Sequence, residues 1–199
     1  MKNQGVICNV TINQVHFIKY KDYIQRLLDS KLVYGLGISM NDCLYCDEII
    51  SFCKKNDSCV IHLIAGIVNE DLFSKLYDNN LKILILGYKE FGRGVKYLSD
   101  KISKQIDFLK DNIMMVSSHF KVVSFDNLAI IQLKMQEKLS KEDFDTYYMG
   151  DDGSFTMYID LVKEEFGYSS ISTKRYKLLG DICEMFKIIK EECQSKNED

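Results

Sequence analysis

Five short apolar runs alternate with helical patterns along the first two thirds of this 199-residue chain. The runs are rich in Val, Ile and Leu, and each is followed by a segment in which apolar residues recur every three or four positions. The strand-like runs are residues 5–13, 32–41, 59–68, 82–89 and 121–127, and the helical patterns are residues 18–30, 42–55, 69–79, 93–117 and 127–139. Alternation of this kind is typical of parallel β/α units.

Each run has one bulky apolar face and one face that is small or polar. The small or polar face carries Asn9, Thr11, Asn13, Gly35, Gly37, Ser39, His62, Gly66, Ser124 and Asp126. A doubly wound sheet is covered by helices on both faces and would be apolar on both. A β/α barrel has helices only outside and can keep a polar interior. The sequence therefore predicts an α/β fold: a partial, TIM-like (β/α) barrel of about five parallel strands.

Functional residues of β/α barrels collect where the strands end. The candidate cofactor-binding mouth consists of Asn13, Ser39, Asn41, Gly66 and Gly87, at or near the ends of the first four runs, and of His62 in the middle of the third run. Candidates for acid–base catalysis are His62, Asp126 and Asp160. Structural alternatives stay open, because Asn41, Asn69 and Asp126 also suit the N-cap of a helix. His62 could be a core histidine, and the glycines could only make room for neighbouring backbone.

Two loops could bind ions. "GYKEFGRG" places Lys89 and Arg93 between a strand and a long helix, where backbone amides can hold a phosphate or carboxylate. An ordinary loop that enters a helix is the alternative. "GDDG" pairs Asp151 with Asp152, which could bind a cation, although adjacent acidic residues are common at turns. We expect no metal site.

The pattern changes in the last third of the chain. Residues 155–162 predict a strand, and residues 177–192 predict a final amphipathic helix. We therefore expect a partial barrel over residues 1–140. A C-terminal strand or hairpin and a helix over residues 141–199 would pack on it to give one domain overall.

Composition and charge exclude some classes of function. A net charge of −3 argues against a broad nucleic-acid surface, which would be basic. No run reaches the roughly 18 uncharged apolar residues of a membrane helix, and no signal-peptide pattern opens the chain. We expect a cytoplasmic protein. The absence of Pro and Trp beside abundant Lys, Asn and Ile indicates an AT-rich genome, such as that of a low-GC bacterium or its phages.

Seven cysteines, an odd number, favour free thiols over disulfides. Cys43, Cys46 and Cys53 have a spacing that suggests a metal site, but helical periodicity places all three on one face of a helix. Cys46 and Cys53 would then lie about 10 Å apart along the axis, too far for one ion. We expect small buried hydrophobic residues and no iron–sulfur cluster.

The runs "GVICNVTIN", "GLGISMND", "VIHLIAGIVNED" and "KILILGYKEFGRG" resemble strands three to six of a radical S-adenosylmethionine enzyme, a family built on a partial β/α barrel. "YMGDDGSFTMYIDLVKEEF" is similar to a C-terminal segment of bacterial and phage members. The resemblance implies that Thr11 and Asn13 match a Thr-Asn pair at the end of the third strand. It also implies that Ser39 or Asn41 lies near the cofactor ribose and residues 87–90 near its adenine.

The residues that give this family its chemistry are missing. The chain has no Cys-x3-Cys-x2-Cys triplet and no acidic motif from the second strand, and the cluster carries the redox chemistry. Three functions stay open. The first, which we favour, is a cluster-less barrel without catalytic activity that acts by binding, as a regulatory or host-interaction protein of a phage or mobile element. The second is the larger piece of a split enzyme that binds S-adenosylmethionine and receives its cluster from another chain. The third is an independent enzyme that uses His62, Asp126 and Asp160.

The resemblance also bears on cofactors and partners. We expect no cofactor in the isolated chain, although S-adenosylmethionine or another adenosine compound could bind. The first two barrel strands are missing, so residues 5–13 would form an open sheet edge, which soluble proteins seldom leave bare. We expect a protein partner or a second copy, in a homodimer, to cover this edge, and the alternative is that the C-terminal strand folds back on it.

Overall fold

The computed structural model of this protein describes residues 6–90 and 94–195. Contacts divide the chain into two compact units, Met1–Leu139 and Ser140–Asp199. The elements of the first unit are β1 (Asn9–Asn13), α1 (Gln14–Asp29), β2 (Gly35–Met40), α2 (Cys46–Lys55), β3 (Cys59–Ile64), α3 (Glu70–Leu76), β4 (Lys82–Leu86), a 3₁₀ turn (Gly94–Tyr97), α4 (Asp100–Ser117), β5 (Val122–Phe125), α5 (Asn127–Gln132) and α6 (Met135–Lys138).

Five parallel strands form one sheet in the order β1-β2-β3-β4-β5. The register pairs Thr11 with Gly37 and Ser39 with His62. Strands that lie side by side in chain order, with helical crossovers between them, are arranged as in a segment of a β/α barrel. The predicted α/β fold class is confirmed. Within the described residues the sheet does not close into a barrel, since β1 and β5 each pair on one side.

The two faces of the sheet differ, as the alternating pattern predicts. On one face Ile38, Ile61 and Ile83 are fully buried under the helices, together with Phe17 of α1 and Ile49 of α2. The opposite face, called the open face below, carries half-buried and exposed residues. Its half-buried members include Ser39, Val60, His62, Ile64, Leu84 and Leu86, its exposed members include Asn9, Thr11, Asn13 and Ser124, and Gly37 is buried beneath His62.

Two helices differ from their predicted extents. The predicted helix at 93–117 begins only at Asp100, and Gly94–Tyr97 forms a 3₁₀ turn before it. The predicted helix at 127–139 is divided into α5 and α6 because Lys134 adopts the left-handed conformation, with φ 52°. Periodicity indicated the apolar faces of both helices but not these local changes of backbone.

The second unit has its own sheet and core. Its elements are α7 (Lys141–Tyr147), β6 (Tyr158–Asp160), β7 (Glu165–Gly167), β8 (Tyr176–Lys177) and α8 (Ile182–Ser195). The strands form an antiparallel sheet in chain order, and Phe166, Met185 and Ile189 are its buried apolar residues. The strand predicted at 155–162 is shorter than expected. It ends at Asp160, where the chain turns into a hairpin with β7.

No helix in the part of the chain that the structure describes is long and apolar enough to cross a membrane.

Candidate functional site

Polar residues at the strand ends start the helices that follow. The side chain of Asn13 accepts the N–H of Val15 at 2.9 Å and caps α1. Asp126 caps α5 in the same way, because its Oδ1 accepts the N–H of Ala129 at 2.7 Å. The same oxygen accepts the N–H of Gly87 at 2.9 Å. Asp126 therefore ties the end of β4 to α5, which is the structural alternative that the sequence left open for it.

Asn41 caps no helix but belongs to a loop that is held by a buried amide. Gln14 is only 2% exposed, and its Oε1 accepts the N–H of Asn41 at 2.8 Å. Its Nε2 donates to the Oδ1 of Asp42 and to the carbonyl of Leu44. The sequence interpretation missed Gln14, since a polar residue at a helix start resembles a surface residue. The available signal was its spacing of three from Phe17, which places both residues on the buried face of α1.

His62 extends onto the open face and lies over Gly37. A Cβ at position 37 would stand only 2.3 Å from the Cε1 of His62, so the imidazole occupies the space that a larger side chain would need. Ser39 is the neighbour of His62 across the strands. Burial lowers the pKa of His62 below its ordinary value. The imidazole is therefore neutral at neutral pH.

An apolar strip surrounds this imidazole. Val60 and Ile64 lie two positions before and after His62 on β3, and Leu84 is its register neighbour on β4; all three are half-buried. A neutral aromatic ring within an aliphatic strip, with the Ser39 hydroxyl beside it, can contact the face of a flat heterocycle and hydrogen-bond to its edge.

Gly66 and Gly87 allow helices to pack closely. Gly66 has φ +86°, and a Cβ there would stand 2.8 Å from the Cγ2 of Ile102 in α4. At Gly87 a Cβ would stand 2.4 Å from the Cγ of Leu128. Helix residues thus occupy the space beside both glycines, which is the packing alternative noted for them.

The loop after β4 lies only partly within the described residues, so the predicted anion site at Lys89 and Arg93 stays a prediction. Lys89 is exposed, and Arg93 lies outside the described residues. Gln132 holds the loop through the N–H and carbonyl of Tyr88, at 2.8 and 2.9 Å. The prediction had the long helix begin at residue 93, close to Lys89. In the structure α4 begins only at Asp100.

The three acid–base candidates are not brought together by any hydrogen bond among residues 6–90 and 94–195. Asp160 belongs to the second unit, where its Oδ1 accepts the N–H groups of Val162 and Lys163 at 2.9 and 3.0 Å. Hydrogen bonding from Lys163 is the largest cause of the lowered pKa of Asp160.

In that unit the hydroxyl of Tyr148 donates to Asp151. The described residues contain no group of three or more His, Cys, Asp or Glu side chains that could hold a metal ion.

The prediction that three cysteines share a buried helix face is wrong for Cys43. Cys46 is the first residue of α2 and is buried, and Cys53 is half-buried. Cys43 lies before the helix in an exposed position. The helix starts later than predicted because Tyr45 adopts a left-handed conformation, with φ 62°.

No known family model matches this chain, and no curated protein or solved structure matches it either.

Proposed function

We propose that this chain acts by binding a small ligand on the open face of its five-stranded sheet and that no catalysis takes place on that face. One observation carries the proposal. The half-buried imidazole of His62 lies over Gly37, on the sheet face opposite the helix-covered core.

The surroundings of His62 favour binding over acid–base catalysis. A catalytic imidazole is normally held in place by a second group that hydrogen-bonds to it. Among the hydrogen bonds of the described residues, none orients His62. The other acid–base candidate in the same unit, Asp126, already accepts two backbone N–H groups through one oxygen.

The chemistry of the open face suits an adenosine compound. A purine has two flat apolar faces, which the imidazole of His62 and the aliphatic strip of Val60, Ile64 and Leu84 can contact. Ser39 is the register neighbour of His62, and its hydroxyl can donate and accept a hydrogen bond, which suits a ribose or a ring edge. The resemblance to barrels that bind S-adenosylmethionine supports the same class of ligand.

Thermal unfolding in the presence of separate ligand fragments tests the proposal. S-adenosylmethionine and adenosine should each raise the Tm, because a ligand at roughly 100 times its Kd adds about 2.7 kcal/mol to the free energy of unfolding. Methionine alone should not. The rise should be lost in His62→Ala and kept in His16→Ala, which changes an exposed histidine of α1. A rise that survives in His62→Ala, or no rise with either adenosine compound, would overturn the proposal.

A further inference from the structure

The segment between β2 and α2 holds two thiols, one exposed and one buried. Cys43 is exposed, and Cys46 is only 5% exposed. The N–H of Cys46 donates to the carbonyl of Cys43 at 3.2 Å, so the two residues close a four-residue turn. Such a turn keeps its first and fourth Cα atoms within about 7 Å. Disulfides form at Cα separations of about 4.4 to 6.8 Å, so this backbone suits a bond between the two sulfurs.

The two thiols interact, and a small molecule can reach one of them. Burial is the main cause that raises the pKa of Cys46 to about 11, and the neighbouring Cys43, which also hydrogen-bonds to it, is the next. A surface depression of about 300 Å³ opens beside the pair. It is lined by Cys43, Tyr45, Cys46, Asp47, Glu48 and Lys75. A molecule in this depression meets the exposed Cys43 first.

The turn that carries Cys43 is fixed by hydrogen bonds from outside it. The buried Gln14 bonds to Asn41, Asp42 and Leu44, and the Oδ1 of Asp42 also accepts the N–H of Leu44 at 2.8 Å. A supported turn holds the backbone that carries the two cysteines in one arrangement, and this lowers the entropic cost of joining their sulfurs. A cysteine that served only as a small buried hydrophobic residue would not require these hydrogen bonds around it.

We propose that Cys43 and Cys46 form a dithiol–disulfide site that reduces disulfides of small thiols, of the form R–S–S–R. The thiolate of Cys43 attacks one sulfur of the substrate, a mixed disulfide forms, and one R–S⁻ leaves and takes up a proton. Cys46 then gives its proton to solvent and attacks the Cys43 sulfur, and the second R–S⁻ leaves. The protein loses two hydrogens as the Cys43–Cys46 disulfide forms, and the substrate is reduced to two thiols.

Mass spectrometry of the fully reduced protein after treatment with glutathione disulfide tests this site. In the wild-type chain, Cys43 and Cys46 should become an internal disulfide and retain no glutathione. Cleavage before Asp47 separates this pair from Cys53, so that the bond can be assigned. Cys46→Ala should retain one glutathione on Cys43, because no second thiol can displace it, and Cys43→Ser should carry none in this segment. Cys183 is exposed and ten positions from the next cysteine, so it should keep glutathione in every variant and serves as the internal control.

Two outcomes would overturn the proposal. One is a wild-type chain that retains glutathione on Cys43 as fully as Cys46→Ala does. The other is a wild-type chain in which Cys53 and Cys59 become joined while Cys43 and Cys46 stay reduced. Both are read on the wild-type chain, so they remain decisive even if a variant fails to fold.

Discussion

The imidazole of His62 covers Gly37, and a Cβ at position 37 would stand 2.3 Å from its Cε1. An alanine at 37 would force the imidazole away from the sheet, where it would be more exposed. We therefore expect Gly37→Ala to raise the pKa of His62 towards its ordinary value of about 6.5, as measured by NMR titration of the imidazole protons. Gly180→Ala is the matched control, because nothing lies within 4 Å of a Cβ there. An unchanged titration of His62 in Gly37→Ala would contradict this contact.

The lowered pKa of His62 makes the stability of the fold depend on pH. Because burial disfavours the charged imidazole, the unfolded chain binds a proton at a higher pH than the folded chain does. The free energy of unfolding should therefore fall as the pH drops below about 6.5, and go on falling until the pH has passed the lower folded-state pKa. Urea denaturation at a series of pH values measures this. As the pH falls, the free energy of unfolding should decrease less in His62→Gln than in the wild type. If the free energy of unfolding changed with pH equally in both proteins, the pKa of His62 would be the same in the folded and unfolded chains.

The buried amide of Gln14 gives a prediction about charge. Gln14→Glu replaces the donor that faces Asp42 with a second carboxylate, and we expect a loss of about 1 to 3 kcal/mol at neutral pH. Asp42→Asn in the same chain restores a donor–acceptor pair and should recover part of the loss, as a double-mutant cycle from urea denaturation would measure. Gln136→Glu, at an exposed position of α6, is the control and should change little. A double variant no more stable than Gln14→Glu would argue against this contact.

The edge strand β1 has a sequence that can pair with itself. In an antiparallel pair of two copies centred on Thr11, Asn9 faces Asn13 and Val10 faces Ile12, so both copies present the same surface. Thr11 is exposed, and Val10 is 38% exposed. We expect a homodimer by light scattering. Thr11→Lys and Thr11→Glu should each be monomeric, because like charges would stand opposite each other, and their mixture should dimerise again.

Ser74→Lys, at an exposed position of α3 in the same unit, should leave that dimer intact. A monomeric wild-type chain at micromolar concentration would contradict the homodimer. The edge would then be left for a different chain, as the split-enzyme alternative requires.

Alternation in the sequence was enough to predict the five strands of the first unit and the position of His62, but it did not predict β7 or β8. His62 lies between Ile61 and Leu63, and the period of two along a strand places it on the opposite face from these two buried residues. The buried role of Gln14 could not be read in this way, because it depends on a loop 27 residues away that folds back on it. The exposure of Cys43 depends on Tyr45, whose left-handed backbone is uncommon for a bulky residue and delays the start of α2 until Cys46.

The strands β1 to β5 lie side by side in the order in which the chain is synthesised. Each strand after β1 can therefore pair, as soon as it leaves the ribosome, with a strand that has already been synthesised. Assembly can advance in one direction, because each new strand is joined to its neighbour in the sheet by a single crossover. A partly synthesised chain then has one edge that advances with each new strand, while the other edge stays at β1 throughout.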